Sequence, residues 1–98
     1  MKTLTEMEIT EALMAAPGWF EEDGKLMRRW EFKDFVAAMV FVNEIAEMAE
    51  KAEHHPDIDI RYNKVQLGLV SHDAGGITKR DASIAKRISE RFPFVLTH

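Results

Sequence analysis

The chain contains no cysteine, which rules out disulfides, thiolate metal centres and cysteine nucleophiles and accords with a reducing compartment. It has no run of about eighteen apolar residues, so no membrane-spanning helix is expected. Its opening, Met1-Lys2-Thr3-Leu4-Thr5-Glu6, lacks the apolar core of a secretory leader. There is no excess of positive charge either: 17 acidic residues against 13 lysines and arginines leave a net charge of -4. With the signs interspersed, nucleic acid is not expected as a primary partner. These absences leave a soluble, cytoplasmic protein as the expectation, with a single domain over residues 1–98 and enough apolar residues, 46%, for one core.

What is present is strongly patterned. Thr5-Glu6-Met7-Glu8 fits a capping box, and Ile9, Ala12, Leu13 and Ala16 then recur at helical spacing until Pro17-Gly18, which predicts a first helix near 6–15. Asp23-Gly24 suits the left-handed positions of a two-residue hairpin turn, with Trp30 and Phe32 leaning towards the core. From Asp34 to about Ala52 runs a long helix with two apolar stripes side by side. Phe35, Met39, Val42, Ala46 and Ala49 make one; Ala38, Phe41, Ile45, Met48 and Ala52 make the other, and Val36 and Val40 widen the surface. A helix lying on a sheet needs one stripe, so the surplus predicts burial against another subunit. The six methionines read as core filling.

Ile58, Ile60 and Tyr62 alternate with polar residues as in a half-buried strand, Tyr62-Asn63-Lys64-Val65 makes the reversal, and Val65, Leu67 and Leu69 share one face of the next strand. Thr78-Lys79-Arg80-Asp81 is a second capping box with aspartate in the acidic position, and Ile84, Ala85, Ile88 and Phe92 set the buried face of a last helix that ends near Pro93. The predicted class is therefore α+β: an N-terminal helix followed by β2-α-β2-α, with a four-stranded antiparallel sheet covered by helices on one face.

Three of the four histidines fall at two junctions of this pattern, His54-His55-Pro56 after the long helix and Ser71-His72 after the last strand. A residue before proline is pushed to extended geometry, so the helix should stop just short of the pair. Histidine titrates near pH about 6.5, and loop-mounted imidazoles at the ends of rigid elements suit proton transfer. A metal site is not expected from them, because adjacent side chains point apart and the i, i+4 helical spacing is missing.

Glu50-Lys51, Glu53-His54-His55-Pro56, Tyr62-Asn63-Lys64-Val65, Ser71-His72, the Gly76 loop and Arg80-Asp81 occur here in an order and spacing that, with Gly18-Trp19 and Phe32-Lys33-Asp34-Phe35, resembles the pterin-4a-carbinolamine dehydratases. This family includes the dimerisation cofactor of a hepatocyte homeodomain factor. The resemblance covers nearly all of the chain beyond the first helix. It implies a hydro-lyase that dehydrates 4a-hydroxytetrahydropterin to quinonoid dihydropterin in tetrahydrobiopterin recycling, with neither metal nor organic cofactor. It implies His54, His55 and His72 as catalytic and ligand-contacting residues, with Glu50 and Asp81 supporting them. Glu53, Val70, Ser71 and Asp73 are implied as further pterin contacts, and Trp19 as a wall for the flat ring. Dimers through sheet edges and tetramers through the long helix, residues 34–52, are implied as well. The alternative is an interaction cofactor without catalysis that joins a partner protein through that helix, like the coactivators of the same family. Asp81 has a simpler reading as a helix cap, and Trp19 as a core residue.

Overall fold

The structure, a computed structural model, describes residues 2–93. Its elements run α1 (Glu6–Met14), β1 (Phe20–Glu22), β2 (Lys25–Glu31), α2 (Phe35–Ala52), β3 (Asp57–Arg61), β4 (Lys64–Leu69) and α3 (Lys79–Arg91). The four strands form one antiparallel sheet in the order β1-β2-β4-β3. The class and element order predicted from the sequence are those observed.

Register explains the two faces of the sheet. Leu26, Arg28 and Trp30 of β2 stand opposite Leu69, Leu67 and Val65 of β4, and side chains opposite one another share a face. All six are buried, against Ala38, Phe41 and Ile45 of α2 and Ile84, Ala85 and Ile88 of α3. On the other face Arg29 donates to Gln66 at 2.5 Å and to Glu22 at 3.0 Å, and Lys25 meets Asp57 at 2.9 Å. One face is thus mainly apolar and covered by helices, and the other is mainly polar, with Phe20 and Met27 also on it.

Both capping boxes form. Thr5 caps α1 with Glu8, and Thr78 caps α3 with Asp81. The β1–β2 turn holds Asp23 at φ 53 and Gly24 at φ 74, the pair of left-handed residues that a two-residue hairpin needs. At the second hairpin Tyr62 begins the reversal as expected, at φ 56, but it is exposed and not the half-buried strand residue that the alternation suggested. Among the methionines, Met7 and Met14 lie on the solvent side of α1 and fill no core.

Arg28 is the unusual core residue. Its guanidinium donates to Pro17 O at 2.9 Å, Ser89 Oγ at 3.3 Å and Phe92 O at 3.5 Å, and lies 4.6 Å from the Trp30 ring centre. It therefore ties the α1–β1 loop to the C-terminal end of α3, where the helix dipole favours a cation. Desolvation lowers its pKa from the usual arginine value, but arginine stays charged in proteins. Gly18 allows the loop to pass over it: a Cβ there would sit 2.7 Å from the guanidinium, and φ is +94.

Of the two stripes on α2, Ala38, Phe41 and Ile45 are buried with Val42 and Ala49, while Phe35, Val36, Val40 and Ala46 are left outside. Val36 is 70% and Val40 57% exposed, so the surplus face is real and uncovered by this chain's described residues. β3, at the sheet edge, also leaves Ile58 and Ile60 partly open.

Leu67, on a central strand and fully buried, supplies the simplest test of this core. Leu67→Ala should lower the unfolding free energy by about 2–5 kcal/mol, read as a shifted urea midpoint with an unchanged slope.

Candidate active site

The site begins where α2 stops. Glu53 takes a left-handed conformation at φ 53, its amide donates to Glu50 O at 3.2 Å, and the His54 amide donates to Ala49 O at 3.2 Å. This is the paired hydrogen bonding of a Schellman ending, with a glutamate in the place usually taken by glycine. The reversed chain carries His54 back over the helix end, and Pro56 then leads into β3.

His54 Nε2 lies 2.5 Å from Asp81 Oδ1, with the imidazole 11% and the carboxylate 0% exposed. The other carboxylate oxygen, Oδ2, accepts from Ser71 Oγ at 2.9 Å and from the Thr78 amide at 2.8 Å. Both oxygens of this fully buried carboxyl group are thus matched by hydrogen-bond partners, as a buried polar group requires. Nε2 of His54 must then carry the proton it shares with Asp81, which leaves Nδ1 as the nitrogen free for proton exchange. Asp81 serves both readings made from the sequence, since one oxygen caps α3 and the other meets a histidine.

His55 Nε2 lies 2.5 Å from Glu50 Oε2, on a surface where the two side chains are 62% and 76% exposed. This pair repeats the carboxylate–imidazole arrangement in water, where it is weaker. His72 lies in the turn after β4 and is exposed; among the described residues its ring makes no hydrogen bond. That turn is closed by Ser71, whose amide donates to Gly76 O at 3.0 Å and whose carbonyl accepts from the amides of Ala74, Gly75 and Gly76. It is also tied from outside: Arg80 donates to Asp73 at 2.5 Å.

The hydrogen bond from Arg80 holds the Asp73 carboxyl below its ordinary range, assisted by the positive charge of Arg80 and opposed by desolvation. A lowered carboxyl pKa gives a tie that is present above about pH 3.9 and is lost as pH falls through the lowered value. The His72 turn is therefore held throughout the range in which imidazoles exchange protons.

Of the residues expected at the site, His54, Asp81, Ser71 and His72 are joined by one hydrogen-bonded and covalent path, and His55 and Glu50 adjoin it. Glu53 is exposed at the helix end, Val70 is half-buried between β4 and the turn, and Asp73 is turned to Arg80. Two placements differ from expectation. Ser71 is buried with its hydroxyl towards Asp81, because the β4–α3 connection folds back on the carboxylate. Trp19 lies in the core, edge-to-face with Trp30 at 6.1 Å between ring centres, where its apolar area is better buried. Thr78 and Arg80 are hydrogen-bonded to Asp81 and Asp73 and were not anticipated in that arrangement; the capping box and the Arg80-Asp81 pair were the signals in the sequence.

Among the described residues, no group of three or more His, Asp or Glu side chains is arranged to hold a metal ion. Among the same residues, no helix is long and apolar enough to cross a membrane.

A family model, pterin 4 alpha carbinolamine dehydratase, matches residues 2–91. The chain belongs to this family. Proteins of Acidobacterium capsulatum and Thermomicrobium roseum named for the same dehydratase are similar to it. The first is 56% identical over 88 residues, 90% of this chain and 96% of its own; the second is 49% identical over 90 residues, 92% and 97% respectively. The crystal structure of a transcriptional coactivator/pterin dehydratase from Brucella melitensis superposes with a TM-score of 0.84 at 38% identity, covering 91% of this chain and 97% of that one. A pterin dehydratase-like protein described as a RuBisCO assembly factor of the α-carboxysome shares the fold, with a TM-score of 0.62 at 19% identity over 78% of this chain and 90% of its own. As a pterin carbinolamine dehydratase family member, the protein is an enzyme of the hydro-lyase class.

The two carboxylate–histidine pairs differ enough in burial to be told apart by stability. Asp81→Ala leaves Ser71, the Thr78 amide and His54 without their acceptor and should cost about 2–4 kcal/mol, whereas Glu50→Ala should change stability by less than about 0.5 kcal/mol. Equal losses in urea denaturation would contradict this ranking.

Proposed function

We propose that the protein dehydrates 4a-hydroxytetrahydropterin to quinonoid dihydropterin, as a recycling step after pterin-dependent hydroxylation, by general acid and base catalysis from His54, His55 and His72. The observation that carries this reading is the 2.5 Å contact between His54 Nε2 and the fully buried Asp81 carboxylate. In this reaction a C–O bond breaks at a tetrahedral ring carbon and the hydroxyl leaves with an added proton as water. The N–H bond of the neighbouring ring nitrogen also breaks; its proton goes to a base, and its electron pair forms the C=N bond. One group must give a proton and another must take one.

His54 is the base in this scheme. Its free Nδ1 accepts the ring proton while Asp81 stabilises the imidazolium that forms, so the charge develops against a fixed anion and needs no rearrangement of the protein. The proton for the departing hydroxyl comes from an exposed imidazole, His55 with Glu50 behind it or His72 on its closed turn. Glu53, Val70 and Asp73 border these rings and line the approach of the pterin. Trp19 packs edge-to-face on Trp30 within the core. Ser71 acts through Asp81 and makes no direct contact with the ligand.

The test is the rate of carbinolamine dehydration, followed by ultraviolet absorbance, for the parent and for His54→Ala, His55→Ala and His72→Ala. Acceleration by the parent and losses of about 10²- to 10⁴-fold in folded variants are expected. A folded parent that neither accelerates the reaction nor binds a reduced pterin would overturn the assignment.

The uncovered face of α2 supports a second element of function, self-assembly. Phe35, Val36 and Val40 make a contiguous apolar strip on a helix whose other side is in the core, and the open edge of β3 offers a further contact between copies. Through these surfaces the chain forms homodimers or homotetramers. Joining a partner protein through α2 is the competing use of the same strip. Val36→Glu with Val40→Glu should reduce the mass seen in sedimentation equilibrium; a parent already monomeric at micromolar concentration would refute self-assembly.

A further inference from the structure

Ser71 has no polar atom left for a ligand. Its amide donates to Gly76 O, its carbonyl accepts from three amides, and its hydroxyl lies 2.9 Å from Asp81 Oδ2 and 2.8 Å from Thr78 Oγ1. The side chain is 1% exposed, and that of Thr78 is 0% exposed. The protons of the two hydroxyls can be assigned. The strongest acceptor within reach of Ser71 is the Asp81 carboxylate, so the single Ser71 proton goes there. Thr78 Oγ1 accepts from the Arg80 amide at 3.3 Å and stands 3.5 Å from the carboxylate. Its proton is therefore directed to the nearer Ser71 oxygen.

We propose that Ser71 and Thr78 are positioning residues, whose hydroxyls form a donor relay from Thr78 through Ser71 to Asp81 that holds the carboxylate on His54 and couples it to the His72 turn. This rests on the dehydratase reading above, in which His54 is the base. The physical need is clear from the torsions. The terminal torsion of an aspartate is soft, so a carboxylate anchored only at the helix cap could rotate Oδ1 away from Nε2. The Ser71 donor fixes Oδ2 from a second direction. Because the backbone of Ser71 also closes the turn that carries His72, one residue sets the spacing between two histidines on separate loops.

The experiment uses the full chain, with Ser71→Ala to remove the donor and Ser71→Thr to keep it. In Ser71→Ala, kcat should fall roughly 10-fold, as misplaced catalytic groups do, with KM within about twofold of the parent, and Ser71→Thr should restore most of the loss. A second readout does not depend on turnover. The proton between His54 Nε2 and Asp81 should give a downfield proton resonance in the parent, identified by its absence in His54→Gln. It should move or broaden in Ser71→Ala and return in Ser71→Thr. In an active parent, an unchanged kcat, an unchanged resonance, or a rise in KM alone overturns the proposal, the last because it would mark Ser71 as a ligand contact. If the parent is folded but inactive, the dehydratase reading fails and the resonance alone decides the relay. Should Ser71→Ala not fold, Thr78→Val removes the distal hydroxyl and is read the same way. If neither folds, the hydroxyls serve stability and the positioning role is wrong.

Discussion

A carboxylate with no exposure to water has to be surrounded by donors, and the local structure follows from how Asp81 meets that demand. The capping position at the start of α3 supplies one donor, the Thr78 amide; the β4–α3 turn supplies another, the Ser71 hydroxyl; and the end of α2 supplies the third, His54. The start of α3 and the turn before it are thereby fixed to the end of α2, 27 positions away in sequence. Removing any one donor leaves charge in the interior unmatched, which is costlier than the gain from forming the same bond in water. A single ionised group thus joins stability to chemistry, since the arrangement that neutralises it also orients an imidazole.

The sheet and its helices make that arrangement rigid. Trp30, Val65 and Leu67 lie beneath α2 and α3, so the helix end carrying His54 and the helix start carrying Asp81 stand on one apolar layer. Arg28 adds a second polar tie inside the same layer, binding the α1–β1 loop to the end of α3. The histidines are carried at the ends of elements whose middles cannot move independently, which suits proton transfer over hydrogen-bond distances.

Much of this was legible in the sequence because it depends on local rules. Asp23-Gly24 could only favour a tight hairpin, Thr5 and Thr78 with their acidic partners three residues on announced two helix starts, and the alternation of Val65, Leu67 and Leu69 fixed the inward face of β4. The surplus apolar surface of α2 was visible from spacing, and it reappears as the exposed Phe35, Val36 and Val40. What spacing cannot show is which polar groups meet after folding. Asp81 read more simply as a cap because capping is a local contact, whereas its approach to His54 spans 27 positions. Ser71 looked like a ligand contact from its place beside His72, and only the fold-back of the β4–α3 connection turns its hydroxyl inward. Tyr62 continued the strand alternation and also opened the reversal; hairpin geometry prevailed, so its side chain is exposed and not half-buried.

The proposed mechanism stands or falls on whether His54, His55 and His72 form one ligand site organised around Asp81. The most direct measurement is a titration of histidine-labelled protein with a non-reacting reduced pterin, observed by the imidazole resonances. A single site requires the rings of His54, His55 and His72 to respond together and to saturate at one ligand concentration. A response confined to one of them, or separate affinities for different rings, would show that the histidines do not share a site.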